Sequence, residues 1–451
     1  MTFRSLALSN IRGNWRSYSA FFMSSVFSVM IFYMYAAFVA HPDLTGSPLN
    51  GTSKVRQGML FCQYIIVIFS FLFVLYSNAA FLKSRRKEFG LLSLFGMTRM
   101  QLQKLIIYEN ALIAVTSIGA GIGLGMLFSK PFFMALAVLL KMKDPIAVVV
   151  PLQALWLTAG GFFMLFTLIS IGTAVRVGRA DIVELLNATS KSKEQIVYSP
   201  LLALLAIVCL AAAYSVAFTL NVKNFSMLAG FILFTAIMGT YLLFTQFSVL
   251  LLRYMTGNTR LYYHRTNMIV LAQLSHKLKA NARMLFMVSI LSAVILTVSG
   301  TIYMLGLAVE LDDIQTQYAD AQGLISLIMF IGIFISLLFF IASGSMIYFK
   351  LFTELQEDQV QYKALTRMGM TPSELRRIVI TQIGILFFAP CLVGIAHALV
   401  ALKALNNLLM VSNWIYSFVI IGIYLAMQSI YFLVACNSYI KGINLTKEIR
   451  I

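Results

Sequence analysis

Four alternating glycines, Gly119, Gly121, Gly123 and Gly125, are the first residues whose spacing suggests chemistry, because glycine-rich loops can hold the phosphates of a nucleotide. A dinucleotide fingerprint needs a preceding strand, whereas these glycines lie inside a long apolar stretch. Small residues in such a stretch allow two helices to approach closely. The series therefore predicts helix packing rather than a nucleotide site.

Other reactive side chains are few and scattered. His397 is the only histidine well inside an apolar stretch, and we expect it to hydrogen-bond to a neighbouring helix rather than to relay protons. All four cysteines lie in apolar stretches, so no disulfide framework is indicated: Cys62, Cys209, Cys391 and Cys436. The sequence contains no Walker A motif, no HExxH and no nucleophile elbow. We therefore expect no catalytic, cofactor-binding or metal-binding residue in this chain, and any energy must come from a partner.

The amino-acid composition indicates which kind of secondary structure contains these residues. The chain is 60% hydrophobic and only 11% charged, against about 25% charged in an ordinary globular domain. This predicts an all-α polytopic membrane protein with about ten transmembrane helices. The predicted spans are Tyr18–Ala40, Gly58–Leu82, Asn110–Ser129, Leu152–Val175, Pro200–Leu220, Ser226–Leu252, Met284–Val309, Leu324–Phe349, Ile380–Leu402 and Trp414–Ile440.

The distribution of basic residues predicts the orientation in the cell membrane. With the N-terminus inside, 27 of the 34 Lys and Arg residues fall in cytoplasmic segments. Cytoplasmic loops carry such an excess, so we expect both termini to be cytoplasmic. The net charge of +18 then reflects topology and an affinity for anionic inner-leaflet lipids, and we expect no nucleic-acid partner.

One sequence element occurs twice. Residues 88–105, the first elbow, align without a gap with residues 361–378, the second elbow, at an offset of 273. In each copy a helix ends at a Gly, the usual left-handed C-cap, and a Thr with capping-box spacing opens the next helix. Thr98 with Gln101 and Thr371 with Glu374 have this spacing. We therefore predict a helix, a sharp turn and a second helix in both places.

The repeat organises the chain into a 4+2+4 arrangement with a parallel internal repeat. We predict a first four-helix half at residues 1–198, a two-helix linker at 199–252 and a second four-helix half at 253–451. Both elbows share one orientation, which argues against the inverted-repeat transporters. Ahead of the first span we predict an interfacial helix with apolar and basic faces: Phe3, Arg4, Ile11, Arg12, Trp15 and Arg16.

The middles of the predicted spans lack ionisable residues. No Asp, Glu, Lys or Arg lies near the centre of any of them, which argues against an ion-coupled carrier. Glu109 falls at the start of a span, and we expect it to be partly solvated there.

Each elbow carries a short apolar face bracketed by charges, as a docking site for a partner requires, although the same face could lie only against lipid or helix ends. The residues that we expect to contact a partner are Glu88, Phe89, Leu92, Phe95, Gly96, Met97 and Thr98 in the first elbow and Tyr362, Leu365, Met368, Gly369, Met370 and Thr371 in the second.

These residues carry a resemblance to a known family. The stretch from Lys83 to Gly90, followed by Phe95-Gly96-Met97-Thr98, resembles the cytoplasmic loop of FtsX-like ABC transporter permeases. The ten-span arrangement resembles the BceB subgroup, the bacitracin and antimicrobial-peptide resistance permeases, and the N-terminal Leu8–Arg16 stretch fits the same pattern.

The resemblance implies a permease that binds two copies of a separate ATPase, one at each elbow, with ATP and Mg²⁺ held by that ATPase. It further implies a sensor histidine kinase as partner and detachment or export of peptides such as bacitracin from lipid-linked cell-wall precursors. An FtsX-type protein that regulates a wall hydrolase or kinase without transport is the alternative, and only an outer domain could separate the two.

One segment departs from the family pattern. BceB-like permeases carry a large extracellular domain between the seventh and eighth spans, whereas only the acidic linker 310–322 occupies that place here. The linker marks either a natural deletion or a join at which residues of a longer protein are absent, and the close agreement elsewhere favours the second. A mass of the intact protein well above 50.3 kDa would confirm it.

Overall fold

The computed structural model describes residue 10 and residues 15–42, 53–139, 149–179, 199–221, 223–263, 267–311, 319–409 and 414–443. These residues form helices and contain no β-strand, which confirms the all-α prediction. The helices are α1 Trp15–Val39, α2 Ser53–Leu94, α3 Arg99–Leu139, α4 Leu152–Arg179, α5 Pro200–Phe218, α6 Phe225–Leu242, α7 Ser248–Gly257, α8 Thr259–Tyr262, α9 Asn267–Leu311, α10 Ala319–Arg367, α11 Pro372–Leu409 and α12 Trp414–Gly442. A short π-helix, Leu243–Phe247, joins α6 to α7.

Ten helical segments in the described residues are long and apolar enough to cross a membrane. Every predicted span falls on one of them, so the span count is confirmed. The 4+2+4 grouping and the domain boundaries at 198 and 252 stay predictions.

Several helices extend well beyond the bilayer thickness. The longest, α10, has 49 residues. At about 1.5 Å per residue it measures roughly 74 Å, more than twice the thickness of about 30 Å of a hydrocarbon core. In α2 and α10 the helix extends beyond the apolar segment at both ends, and its last part leads into an elbow.

The described residues form two compact units. The first contains residues up to 192 and residues 314–330, and the second contains residues 193–313 and 331–451. In the first unit α1 is the central helix and packs against α2, α3 and α4. In the second unit α9 packs against α11 and α12, and α5 packs against α6.

Glycines set the closest helix contacts in both units. A Cβ added at Gly121 of α3 would lie 2.6 Å from Cβ of Val29 and 2.9 Å from the carbonyl oxygen of Val26 on α1, whereas Gly123 has nothing within 4 Å. At the offset of 273, Gly394 of α11 meets Ser292 of α9 just as closely, at 2.5 Å. The packing role predicted for the glycine series is confirmed for Gly121 and also for Gly125, which meets Tyr33.

His397 is a partly buried polar contact between three helices of the second unit. Its Nδ1 lies 2.9 Å from the hydroxyl of Tyr214 on α5, and its Nε2 lies 2.8 Å from Oγ1 of Thr240 on α6. The predicted hydrogen bonds to neighbouring helices are confirmed.

The predicted interfacial helix is only partly described. Phe3, Arg4, Ile11 and Arg12 lie outside the described residues, while Trp15 and Arg16 open α1. The basic segment 276–283, ahead of the seventh span, belongs to the unbroken helix α9.

The glycine contacts predict a matched pair of substitutions. Gly121→Ala should lower the free energy of unfolding by about 1–3 kcal/mol, because a Cβ there overlaps both a side chain and the α1 backbone. Gly123→Ala adds the same methyl group to open space and should not destabilise the protein. Thermal unfolding of both variants in one detergent measures the difference, and equal midpoints would contradict the close approach of α1 and α3.

Candidate functional site

The two elbows have the same backbone geometry. In the first, Met97 N–H donates to the Leu92 carbonyl at 3.2 Å, and Gly96 N–H donates to the Ser93 carbonyl at 3.1 Å. This pair of bonds is the Schellman motif, which requires a left-handed residue at the helix end. Gly96 supplies it with a φ of 91°. In the second elbow Gly369 has a φ of 96°, and Met370 N–H donates to the Leu365 carbonyl at 3.2 Å.

The predicted capping boxes then start the next helices. Thr98 N–H donates to Oε1 of Gln101 at 2.9 Å, and Gln101 N–H donates to Thr98 Oγ1 at 3.3 Å. The backbone N–H of Thr371 donates to Oε2 of Glu374 at 3.0 Å, with the return bond from Glu374 N–H at 3.4 Å. Both ends of each turn are therefore satisfied by local hydrogen bonds, and the predicted helix–turn–helix geometry is confirmed.

The apolar residues of the elbows divide into two groups. Phe89 and Tyr362 are only 1% and 2% exposed, and they face the interior of their own units. Phe95 is 85% exposed and Met368 is 73% exposed, one at the tip of each turn. Leu92, Met97, Leu365 and Met370 are half-buried, and Glu88 is partly exposed. Gly96, Thr98, Gly369 and Thr371 are exposed.

The predicted contact residues therefore fall into an exposed group and a buried group. Phe95 and Met368, with the glycines and threonines of the turns, are exposed to solvent. Phe89 packs with Leu82, Leu102 and Ile106 and holds the first elbow together. The rings of Phe89 and Tyr362 have almost no free surface, and their predicted contact with a partner stays a prediction.

A buried ion pair lies at the base of the first elbow. The Arg85 guanidinium donates through Nη2 to Oε1 of Glu109 at 3.3 Å and through Nη1 to the other carboxylate oxygen. Both side chains are almost fully buried, at 1% and 2% exposed. Asn10 Nδ2 also donates to Glu109 Oε1, at 3.0 Å. The expectation that Glu109 is partly solvated is wrong, because Arg85 neutralises its charge and makes burial tolerable.

Aromatic rings surround the Arg85 guanidinium. Its carbon lies 4.8 Å from the ring centre of Tyr18 and 4.9 Å from that of Phe89. Burial first, and the Glu109 carboxylate second, raise the pKa of Tyr18, so its hydroxyl stays neutral. We call Asn10, Tyr18, Arg85 and Glu109 the first polar cluster. It joins α2 and α3, the two helices of the first elbow, to α1.

A second buried ion pair lies at the base of the second elbow. Lys277 Nζ donates to Oδ2 of Asp358 at 2.8 Å, and the Tyr439 hydroxyl donates to the same oxygen. Tyr362 donates to Oε1 of Gln382 at 3.2 Å, and Gln382 Nε2 donates to Gln273.

We call Gln273, Lys277, Asp358, Tyr362, Gln382 and Tyr439 the second polar cluster. It joins α10 and α11, the helices of the second elbow, to α9 and α12. Gln382 thus hydrogen-bonds to residues on two other helices, α9 and α10.

Neither ion pair was predicted from the sequence. The first elbow comprises residues 88–105, and just beyond both ends the same offset of 273 matches Arg85 with Asp358 and Glu109 with Gln382. Polar residues at equivalent positions beside an apolar span were the available signal. A comparison by residue type does not detect this signal, because the residues matched at the offset of 273 differ in charge.

The first polar cluster predicts a large difference between two ways of removing Glu109. Glu109→Ala leaves the buried Arg85 guanidinium without its counter-charge and should lower the free energy of unfolding by about 3–5 kcal/mol. The double change Arg85→Met with Glu109→Gln removes both charges and should stay close to the unsubstituted protein. Thermal unfolding in detergent measures both, and a fully stable Glu109→Ala variant would contradict the assigned pairing.

Comparison with known proteins gives the family. Residues 61–182, which include the first elbow, match the family described as FtsX-like permease C-terminal. Over 98% of its length the chain is 29% identical to ABC transporter permease protein YxdM of Bacillus subtilis, covering 100% of that protein. It is 27% identical to the uncharacterized ABC transporter permease YvcS of the same organism over 98% of this chain and 99% of the relative.

A more distant relative is the bacitracin export permease protein BceB of Bacillus subtilis. It is 24% identical to this chain over 65% of the chain and 47% of the relative. The YvcS alignment extends over 642 positions, more than the 451 residues of this chain, so that relative contains residues without a counterpart here. Residues 61–182 thus form an FtsX-like permease domain, and over nearly its whole length the chain is similar to proteins named ABC transporter permeases.

Proposed function

We propose that the chain is the membrane subunit of a transporter in which two copies of a separate ATPase bind, one at each elbow, and supply ATP hydrolysis. The observation that carries this proposal is the pair of exposed apolar tips, Phe95 and Met368, on turns of the same geometry. A partner ATPase holds ATP and Mg²⁺ and performs the hydrolysis. This chain contributes the docking surfaces.

The rigidity of the tips favours docking. Each turn is closed by a Schellman motif on one side and a capping box on the other. Binding a partner therefore orders little additional backbone, and preorganised surfaces retain more of their contact energy as affinity. An apolar side chain that projects from a rigid turn can fill a pocket on the partner, as the anchors of many interfaces do.

The placement of basic residues supports the orientation that this function needs. If both termini are cytoplasmic, both elbows face the cytoplasm, where ATP is available. The chain is then a multi-pass protein of the cell membrane whose basic segments lie near anionic inner-leaflet lipids.

We further propose that the work is done on antimicrobial peptides bound to lipid-linked cell-wall precursors, with a sensor histidine kinase as a second partner. Support for the peptide comes from the similarity to the distant relative, which is named a bacitracin export permease. The alternative is an FtsX-type transmitter that regulates a wall hydrolase or a kinase without transport. Both versions use the elbows in the same way.

Substitution at the tips tests the docking proposal. Phe95→Asp or Met368→Asp should each remove about half of the ATPase that co-purifies with the permease, and the double variant should remove nearly all of it. A carboxylate cannot enter an apolar pocket without losing its hydration. Tyr263→Asp is the matched control, because Tyr263 is also 73% exposed but lies outside both elbows. Unchanged co-purification of the double variant would refute docking at the elbows.

ATP turnover tests the substrate. The complex in lipid nanodiscs should hydrolyse ATP several-fold faster with bacitracin, or another wall-targeting peptide, in the presence of a lipid-linked precursor. The complex with both tips substituted should not respond. Stimulation by none of a panel of such peptides would contradict the peptide proposal and favour the transmitter.

A further inference from the structure

The two polar clusters occupy equivalent places in the two halves but are built from different residues. At the first position, Arg85 of α2 corresponds to Asp358 of α10, each four residues before the buried aromatic of its elbow. At the second position, Glu109 of α3 corresponds to Gln382 of α11. The charge on the helix that enters the elbow is therefore opposite in the two halves.

Each cluster nevertheless contains one cation and one carboxylate. In the first half the carboxylate comes from the helix that leaves the elbow, since Arg85 pairs with Glu109. In the second half the cation comes from α9, since Asp358 pairs with Lys277 at 2.8 Å. The opposite charge has been placed on a different element in each half, and the buried ion pair is present in both.

Stability alone does not account for this duplication. Replacing a buried ion pair by apolar residues of similar volume is often neutral or stabilising, because burial removes the hydration of both charges. The best-attested use of such a pair is to fix the register of the helices that carry it. An apolar contact tolerates sliding by a fraction of a turn, whereas a hydrogen-bonded ion pair does so only by leaving a charge unpaired.

The contacts of the clusters connect the elbows to the first helix of each half. The Phe89 ring packs on the Arg85 guanidinium, and Arg85 Nε also donates to Oε2 of Glu88 at 2.9 Å. Tyr362, the equivalent of Phe89, donates to Gln382. From these residues the hydrogen bonds and ring contacts continue to Asn10 and to Tyr18 of α1 in the first unit.

In the second unit the same connection reaches α9 through two residues. Gln382 donates to Gln273, and Asp358 accepts a hydrogen bond from Lys277. Asp358 also accepts one from Tyr439 on α12, so three helices meet at this carboxylate.

We propose that the two polar clusters are positioning sites that make each elbow move together with the first long helix of its half, α1 or α9. Arg85, Glu109, Lys277 and Asp358 are the positioning residues. A force applied by the ATPase at the tip is then transmitted to a membrane-spanning helix instead of bending the elbow. This inference rests on the proposed function, because the force comes from ATPase bound at the elbows.

The test uses hydrogen exchange measured by mass spectrometry on the complex of this chain with its partner ATPase, in nanodiscs. Samples are compared without nucleotide and after trapping with ATP and vanadate. In the unsubstituted complex, trapping should change exchange in both elbows, in residues 15–20 of α1 and in residues 267–280 of α9.

Replacing both charged residues of a cluster by neutral residues of similar size removes the ion pair and preserves the packing; we call these changes neutral pairs. With Arg85→Met and Glu109→Gln, trapping should still change exchange in the first elbow, but the change at the start of α1 should fall at least several-fold. With Lys277→Met and Asp358→Asn, the same loss should appear at the start of α9 only. A merely structural role would not produce losses confined to one half.

Two further variants keep the test decisive. The reversed pair Lys277→Asp with Asp358→Lys should restore the change at α9, because the ion pair is rebuilt with its charges exchanged. The control pair Lys350→Met with Glu354→Gln removes an ion pair of 2.6 Å whose members both lie on α10, and it should behave like the unsubstituted protein.

Two results would overturn the inference. The first is that the neutral-pair variants bind the ATPase and that trapping still changes hydrogen exchange at the start of α1 and α9 as much as in the unsubstituted complex. The other, which decides the matter if a neutral variant fails to fold, is a folded reversed pair that does not restore the change at α9. Absence of ATPase from the purified unsubstituted protein would instead overturn the proposed function, and this inference with it.

Discussion

A charge inside a helical bundle is tolerated only when an opposite charge and further hydrogen bonds meet it, and this constraint fixes the base of each elbow. Arg85 is almost fully buried, so α3 must present Glu109 at the height where the guanidinium lies. Asp358 imposes the same condition on α9 through Lys277. In the first elbow, α2 and α3 therefore cannot shift independently without isolating a charge, and in the second half the same holds for α10 and α9.

Above these clusters the chain uses local hydrogen bonds, and beside them it uses close helix packing. The turns at Gly96 and Gly369 are closed by bonds within a few residues, so the tips keep their shape without support from another element. The glycines Gly121 and Gly394 bring the helix that leaves each elbow against α1 or α9. The turn and the glycine contact recur at the same offset in both halves, whereas the ion pair shares only the positions of Arg85 and Asp358.

Much of this architecture is predictable from the sequence. Long apolar stretches give the spans because a helix must satisfy its own backbone in lipid. The elbows are predictable because Gly and Thr at capping positions have local conformational preferences that need no tertiary information. The pairing of Gly121 with Val29, and its absence for Gly123, required the structure, since helix rotation decides which glycine meets a neighbour.

The ion pairs were harder to predict for a different reason. From the sequence alone, Glu109 is expected to be a solvated residue at a helix start. Its partner Arg85 lies 24 residues away, and the structure is needed to identify it. Phe89 and Phe95 share a helical face by spacing, but one is buried and the other exposed, because the helix ends between them and the chain turns away. Burial at an elbow thus depends on the path of the chain after the turn, which periodicity does not show.

The central claim is that Phe95 and Met368, at the tips of the two elbows, lie in the cytoplasm and bind a separate ATPase. Labelling of single cysteines at positions 95 and 368 in intact cells with a membrane-impermeant maleimide tests it directly. Position 150, predicted to lie in an outer loop, serves as the accessible control. The account predicts labelling at 150 alone in intact cells and at all three positions after permeabilisation. Labelling of either tip in intact cells would contradict it.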